Sequence, residues 1–227
     1  MPRFARAVAV DCPHHITQRG NNRQDVFFVP DDYELYLAVL REQAERYGLE
    51  VHAWCLMTNH VHLVATPRRA DSLAKAVGRT HWLYSQTINR LHGRSGHLWQ
   101  GRFYSCALDS DHFWSAVKYV ERNPVRVRRH RKAWLYEWSS AAAHCGGKDA
   151  SGLLDLGWWA ERWTADEWEA ELAARDDAEV VHALCRATSR GRPLGSDSFI
   201  SKLEKHIGRR LRPLPVGRPR KRTPRRK

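Results

Sequence analysis

Two histidines stand one residue apart in the stretch MTNHVHLV, residues 57–64: His60 and His62, either side of Val61. The stretch reads as a strand. Strand side chains alternate between faces, so both imidazoles point one way and Val61 the other. The rings are then about 6–7 Å apart along the strand, close enough for both to reach one divalent cation. A plainer reading is that each histidine is hydrogen-bonded on a half-buried face. A pair alone is also incomplete, because a metal that does chemistry needs a third protein ligand and open positions for substrate.

A second segment, SAVKYVERNPVRVRRHRK, offers that ligand. Tyr119 and Asn123 are four residues apart and share one face of a predicted helix. Pro124 disfavours helical geometry at Asn123, so the helix is expected to end there. An amide oxygen at that end can serve a hard metal, and a phenol one turn back can approach a phosphate bound by the same ion. The alternative is that Tyr119 fills an amphipathic face and Asn123 is a stop. Arg126, Arg128 and Arg129 follow, a cationic patch suited to a phosphodiester backbone or simply a solvated face.

Further candidates lie in two loops. GHLWQGRFYS sets Trp99, Gln100 and Arg102 together, where an indole stacks on a base, an amide reads a base edge and a guanidinium takes a phosphate. Trp99 could equally anchor the loop to the core. TQRGNNRQ offers Arg19 and Arg23 for guiding single-stranded DNA. Tyr84, on a helix with Leu83, Ile88 and Leu91, reads as packing, and Tyr104 as core or a DNA contact.

The elements that position these residues follow in order. A first strand is predicted over 7–19, interrupted at Pro13. DDYELYLAVLREQAERYG is a helix capped by Asp31 or Asp32 and ended by Gly48. LEVHAWCLM and HVHLVAT form a hairpin around Thr58–Asn59. A helix spans 71–91, a loop and strand span GHLWQGRFYSCAL, and SDHFWSAVKYVER is the third helix. This βαββαβ order predicts an α+β fold, a ferredoxin-like antiparallel sheet with packed helices.

The character changes near residue 146, giving a domain over 1–145, a helical extension over 146–212 and a basic tail over 213–227. GWWAERWTADEWEAELAARDDAEVVHALCRAT is acidic and helical, with Thr164 and Glu167 spaced as a capping box. Phe199, Leu203, Ile207 and Leu211 repeat every four residues along the last helix. The two helices around SRGRPLG read either as a helix-turn-helix contacting duplex DNA or as a packing or dimer module. GRPRK in the tail resembles an AT-hook core, against a plain electrostatic tail.

Composition narrows the partners. The 227 residues carry 38 Lys+Arg against 25 Asp+Glu, a net charge of +13, which favours nucleic acid over other partners. Five cysteines, without a C-x-x-C pair, read as reduced thiols of a cytoplasmic protein. No apolar run reaches the length of a membrane span and the N-terminus lacks a signal-peptide core, so no membrane partner is expected.

Strand NHVHL, loop GHLWQGRF and helix YVERNPV, in this order, resemble the single-tyrosine HUH transposases, most of all the REP-associated tyrosine transposases, over roughly residues 1 to 140. The resemblance implies Tyr119 as nucleophile and His60, His62 and Asn123 as ligands of a divalent metal, Mg2+ or Mn2+. It implies cleavage and strand transfer of single-stranded DNA near hairpins, through a 5′-phosphotyrosine and a free 3′-hydroxyl. Relatives act as monomers or as homodimers that exchange the tyrosine helix, and both stay open here. So do two other functions, a non-catalytic DNA-hairpin-binding protein and an RNA-binding ferredoxin-like domain.

Overall fold

The computed structural model describes residues 6–213. Strands β1 (His14–Arg19), β2 (Leu49–Met57), β3 (His60–Pro67) and β4 (Tyr104–Ala107) form one antiparallel sheet in the order β2-β3-β1-β4. Helix α1 (Pro30–Tyr47) joins β1 to β2, and α2 (Gly78–Leu91) joins β3 to β4. This is the predicted ferredoxin-like order. β1 begins only after Pro13, not at residue 7. The chain enters it through a turn in which Asp11 takes a left-handed φ of 57°. Gly48 ends α1 in the left-handed conformation, as expected. Asp32 is not the N-cap of α1. It lies inside the first turn and its carboxylate accepts from the Phe28 and Val29 amides at 2.7 and 3.2 Å.

Alternation along the strands divides the core in two. Ile16, Trp54, Leu56, Val61 and Leu63 face α1 and α2, where they meet Tyr36, Leu40, Tyr84 and Ile88. Ala53, Cys55, Met57, Val64 and Cys106 face α3 (Ser110–Glu121), where they meet Phe113, Ala116, Val117 and Val120. His60 and His62 share the α3 face and Val61 the other, as a period of two requires.

The third helix differs from its predicted end. α3 stops at Glu121, and a further turn, α4 (Asn123–Arg126), starts at Asn123 itself. Pro124 therefore sits at the start of a helical turn, where its missing N–H has no partner to lose, rather than after the end of one.

The acidic stretch beyond residue 146 is three helices, α6 (Leu156–Ala160), α7 (Ala165–Ala173) and α8 (Ala178–Arg190), after a short α5 (Ala141–His144). The Thr164–Glu167 capping box is present at the start of α7, with reciprocal bonds of 3.3 and 2.9 Å. Trp159, Trp168, Leu172 and Leu184 join the same apolar cluster as α3. Glu121, fully buried, accepts from His144 Nδ1 at 2.6 Å, from Trp168 Nε1 at 2.7 Å and from the Ser140 hydroxyl. Beyond α8, Leu194 bonds both ways with the end of β4, to Ala107 at 2.9 Å and from Asp109 at 3.2 Å. On α9 (Asp197–Ile207) the repeat of four is a packing face. Leu203 and the following Leu211 are buried with Ala7, Ala9 and Ala107, flanked by Phe199 and Ile207. The AT-hook-like Gly217–Lys221 lies outside the described residues. Among the described residues, no helix is long and apolar enough to cross a membrane.

Candidate active site and metal centre

Strand register decides which side chains meet. In the β1–β3 pair Arg19 stands opposite His60, Thr17 opposite His62 and His15 opposite Val64. His15 is thus the diagonal neighbour of His62 on the α3 face. The sequence reasoning missed His15, although HHITQR carried a signal: His15, Thr17 and Arg19 alternate toward one face. The turn after β1 depends on Gly20, where a Cβ would stand 2.2 Å from the Gln24 carbonyl oxygen. That turn brings the Arg23 carbonyl to the side chain of Asn59.

Both predicted metal histidines are held at Nδ1. Asn59 Nδ2 donates to the Arg23 carbonyl at 3.1 Å, which turns Asn59 Oδ1 toward His60, 2.6 Å from its Nδ1. His60 therefore carries its proton on Nδ1 and leaves Nε2 as a lone pair. His62 Nδ1 lies 3.0 Å from His15 Nε2, and the two rings stack with centroids 5.2 Å apart. Metal-binding histidines are characteristically oriented by such contacts at the other ring nitrogen. Burial and the nearby Arg19 hold His60 down to about 4. Burial, His60 and His15 hold His62 well below its ordinary value. Both rings are neutral at neutral pH, as metal binding requires.

Among the described residues, no group of three or more His, Cys, Asp or Glu side chains could hold a metal ion, so a third donor beside His60 and His62 would be of another type. Asn123, 3% exposed, has its side chain beside His60. Two imidazoles and an amide oxygen are a donor set that Mg2+ or Mn2+ accepts, and these residues fit such an ion.

Tyr119 reaches the same place from α3. Its ring meets His62 and His15 edge-on, with centroids 5.5 and 5.4 Å away. The Arg126 guanidinium lies 4.0 Å from the ring centroid and donates to the Tyr119 carbonyl at 2.9 Å. The Cys185 thiol of α8 donates to the phenolic oxygen at 3.3 Å, which leaves the phenol's own proton free to go elsewhere. Burial pushes the phenol above its ordinary pKa, while Arg126 and Arg19 pull it down. The resting phenol is protonated and needs an acceptor or a cation to become a nucleophile.

The predicted DNA contacts divide. Arg19, Arg23, Gln100, Arg102, Arg128 and Arg129 are exposed. Gln100 hydrogen-bonds through its backbone to the Arg19 carbonyl at 2.9 Å, which places it on the rim beside His60. Arg102 lines a groove of about 810 Å³ with Arg6, Trp82, Gln86 and Asn89. Arg126 is instead half-buried, stacked on Tyr119 and 3.5 Å from Asp176. Trp99 is a correction: its indole is 7% exposed, packs on His81 and Tyr84, and donates to the His81 carbonyl at 3.1 Å, so it has no face for a base. Tyr84 is fully buried with its hydroxyl on the Val26 carbonyl, while Tyr104 is 40% exposed.

Residues 8–123, just over half of the chain, match the family described as Transposase IS200 like. A solved REP-associated tyrosine transposase bound to a REP hairpin is 18% identical, with a TM-score of 0.52 over 70% of this chain and 91% of that one. At that identity the likeness speaks to the fold. A provisionally assigned transposase from Deinococcus radiodurans is 20% identical over 53% of this chain and 97% of its own, with a TM-score of 0.38. No curated protein matches.

Proposed function

The chain belongs to the IS200-like transposase family, and from that premise we propose that it cuts and rejoins single-stranded DNA beside hairpins, with Tyr119 as nucleophile. The observation that carries this is the convergence, within one chain, of Tyr119 on His62, with His60 and Asn123 alongside. Mere binding of a hairpin needs no buried phenol packed against two neutral imidazoles.

The phenolic oxygen forms a bond to phosphorus and the P–O3′ bond breaks. The products are a 5′-phosphotyrosine and a 3′-oxygen that takes up a proton. One phosphodiester replaces another, so attack by a 3′-hydroxyl reverses the step and joins strands. His60, His62 and Asn123 would hold a divalent ion, Mg2+ or Mn2+, which would supply Lewis-acid polarisation of the scissile phosphate. Arg19 and Arg126 add positive charge beside the phenol and favour its anion. Arg19, Arg23, Gln100, Arg102, Arg128 and Arg129 hold the DNA, chiefly through phosphates. The meeting of the phenol with the histidines of its own chain supports action as a monomer over a homodimer that exchanges the tyrosine helix.

Residues 1–145 form the nuclease unit on this reading and 146–212 support it. The basic tail 213–227, nearly all of it outside the described residues, adds contact with duplex DNA. On this reading the protein works in the cytoplasm, in keeping with its five unpaired cysteines.

The test is metal-dependent cleavage of a labelled hairpin oligonucleotide with single-stranded flanks. His60→Ala should remove Mn2+-dependent cleavage and leave most DNA affinity. A chain that binds hairpins tightly but cleaves none of them with Mn2+ or Mg2+ would instead be a binding protein that retains the fold.

A further inference from the structure

Thr188 lies in α8, well beyond the segment that matches the family, and is 1% exposed. Its hydroxyl has three neighbours: the Leu184 carbonyl at 2.8 Å, His15 Nδ1 at 2.7 Å and Cys106 Sγ at 3.1 Å. A hydroxyl has one proton and two lone pairs. The Leu184 carbonyl can only accept, so it takes the threonine's proton. The other two neighbours must then donate, and His15 must carry its proton on Nδ1.

The consequence runs down the ring stack. His15 is buried, and among the described residues its ring nitrogens meet Thr188 and His62 and no carboxylate that could hold a second proton, so it has one proton only. With that proton on Nδ1, His15 Nε2 is a lone pair. The contact of 3.0 Å to His62 Nδ1 is then a hydrogen bond only if His62 donates. His62 in turn keeps Nε2 unprotonated. The opposite arrangement would place a proton on His62 Nε2 and block it as a ligand.

We propose that Thr188 is a positioning residue that fixes the proton on His62 Nδ1 through His15, so that the C-terminal extension prepares His62 Nε2 to bind a metal ion. Asn59 does the same for His60 from within the hairpin. The proposal deepens the reading of His62 as a ligand and rests on it for its consequence, not for its proton arrangement.

The test compares full-length wild type, Thr188→Val and Thr188→Ser, with two readouts. Imidazole proton positions in the metal-free chains are read from two-bond nitrogen–proton correlations of 15N-histidine. Wild type and Thr188→Ser should show His15 and His62 protonated at Nδ1, whereas Thr188→Val should show His62 partly protonated at Nε2. Mn2+ affinity, read by electron paramagnetic resonance, should fall about 10- to 100-fold in Thr188→Val and return in Thr188→Ser. Valine keeps the shape, and recovery with serine separates the hydroxyl from packing. His62 protonated at Nε2 in wild type overturns the proposal. So does a Thr188→Val chain with unchanged proton positions. A wild type that binds no Mn2+ overturns the metal reading, and the proton positions still decide the relay.

Discussion

Against α1 and α2 the sheet presents Ile16, Leu56, Val61 and Leu63, closed over by Tyr36, Leu40, Tyr84 and Ile88. Against α3 and α8 the same strands present His15, His60 and His62 at comparable depth, closed over by Tyr119. β3 serves both faces at once, because HVHLVA splits by alternation into His60, His62 and Val64 on one side and Val61, Leu63 and Ala65 on the other. The first face needs only volume and a few local bonds. The second buries polar groups, each of which needs a partner, and many of those partners come from the C-terminal extension. Thr188, Cys185, Trp168 and Asp176 reach His15, Tyr119, Glu121 and Arg126. The candidate site and the extension are therefore built together.

The largest stability effect should come from the second face. Glu121→Ala strands His144, Trp168 and Ser140 without their common acceptor. By urea unfolding it should cost about 3–5 kcal/mol, the range for breaking a buried ionic network. A loss under 1 kcal/mol would mean the network contributes little.

Leu63→Ala on the first face should cost about 2–5 kcal/mol and leave Mn2+ affinity unchanged. A change in affinity comparable to that of His60→Ala would show that the faces are not independent.

Acid should weaken the first face, to which His14 belongs by its pairing with Ala65. His14 is held down to about 4, chiefly by burial, and His81, on the buried face of α2, to about 3 by burial and Arg6. Above pH 6.5 these rings are neutral folded or unfolded and contribute no pH dependence. Below it the unfolded chain takes up protons that the folded chain refuses. Stability should then fall with pH by ~1.4 kcal/mol per unit for each histidine, down to its folded value. Denaturation at a series of pH values checks this, and His81→Gln should lower the slope by one proton.

The smallest effect is at the rim. Arg102→Ala should weaken hairpin binding by about 1 kcal/mol and lower the salt slope by about one. A Trp99 substitution should act through stability instead. If Trp99→Phe lowers DNA affinity while stability is unchanged, the buried assignment of that indole is wrong.

What could be read in advance was local or periodic. The His60–His62 pair, the Tyr119–Asn123 spacing, the hairpin and the Thr164–Glu167 box all lie within one turn or one strand, and the βαββαβ order follows from them. His15 required the β1–β3 register, and Thr188 lies 173 residues from the imidazole it touches, with no periodicity to link them. Trp99 stayed open between a base platform and a core anchor because an indole beside glutamine and arginine has the same composition in both. Asn123 was placed at a helix end because proline opens a helical turn as readily as it follows one.

The central claim is that Tyr119 is the nucleophile. Incubating wild type and Tyr119→Phe with a 5′-flanked hairpin oligonucleotide and Mn2+, then mapping DNA-linked peptides by mass spectrometry, tests it directly. The substitution removes one hydroxyl and one weak bond from Cys185, so folding should change by about 1 kcal/mol or less. The account predicts a covalent adduct on Tyr119 in wild type and none in Tyr119→Phe. An adduct that persists in Tyr119→Phe, or that maps to Tyr84 or Tyr104, would contradict it.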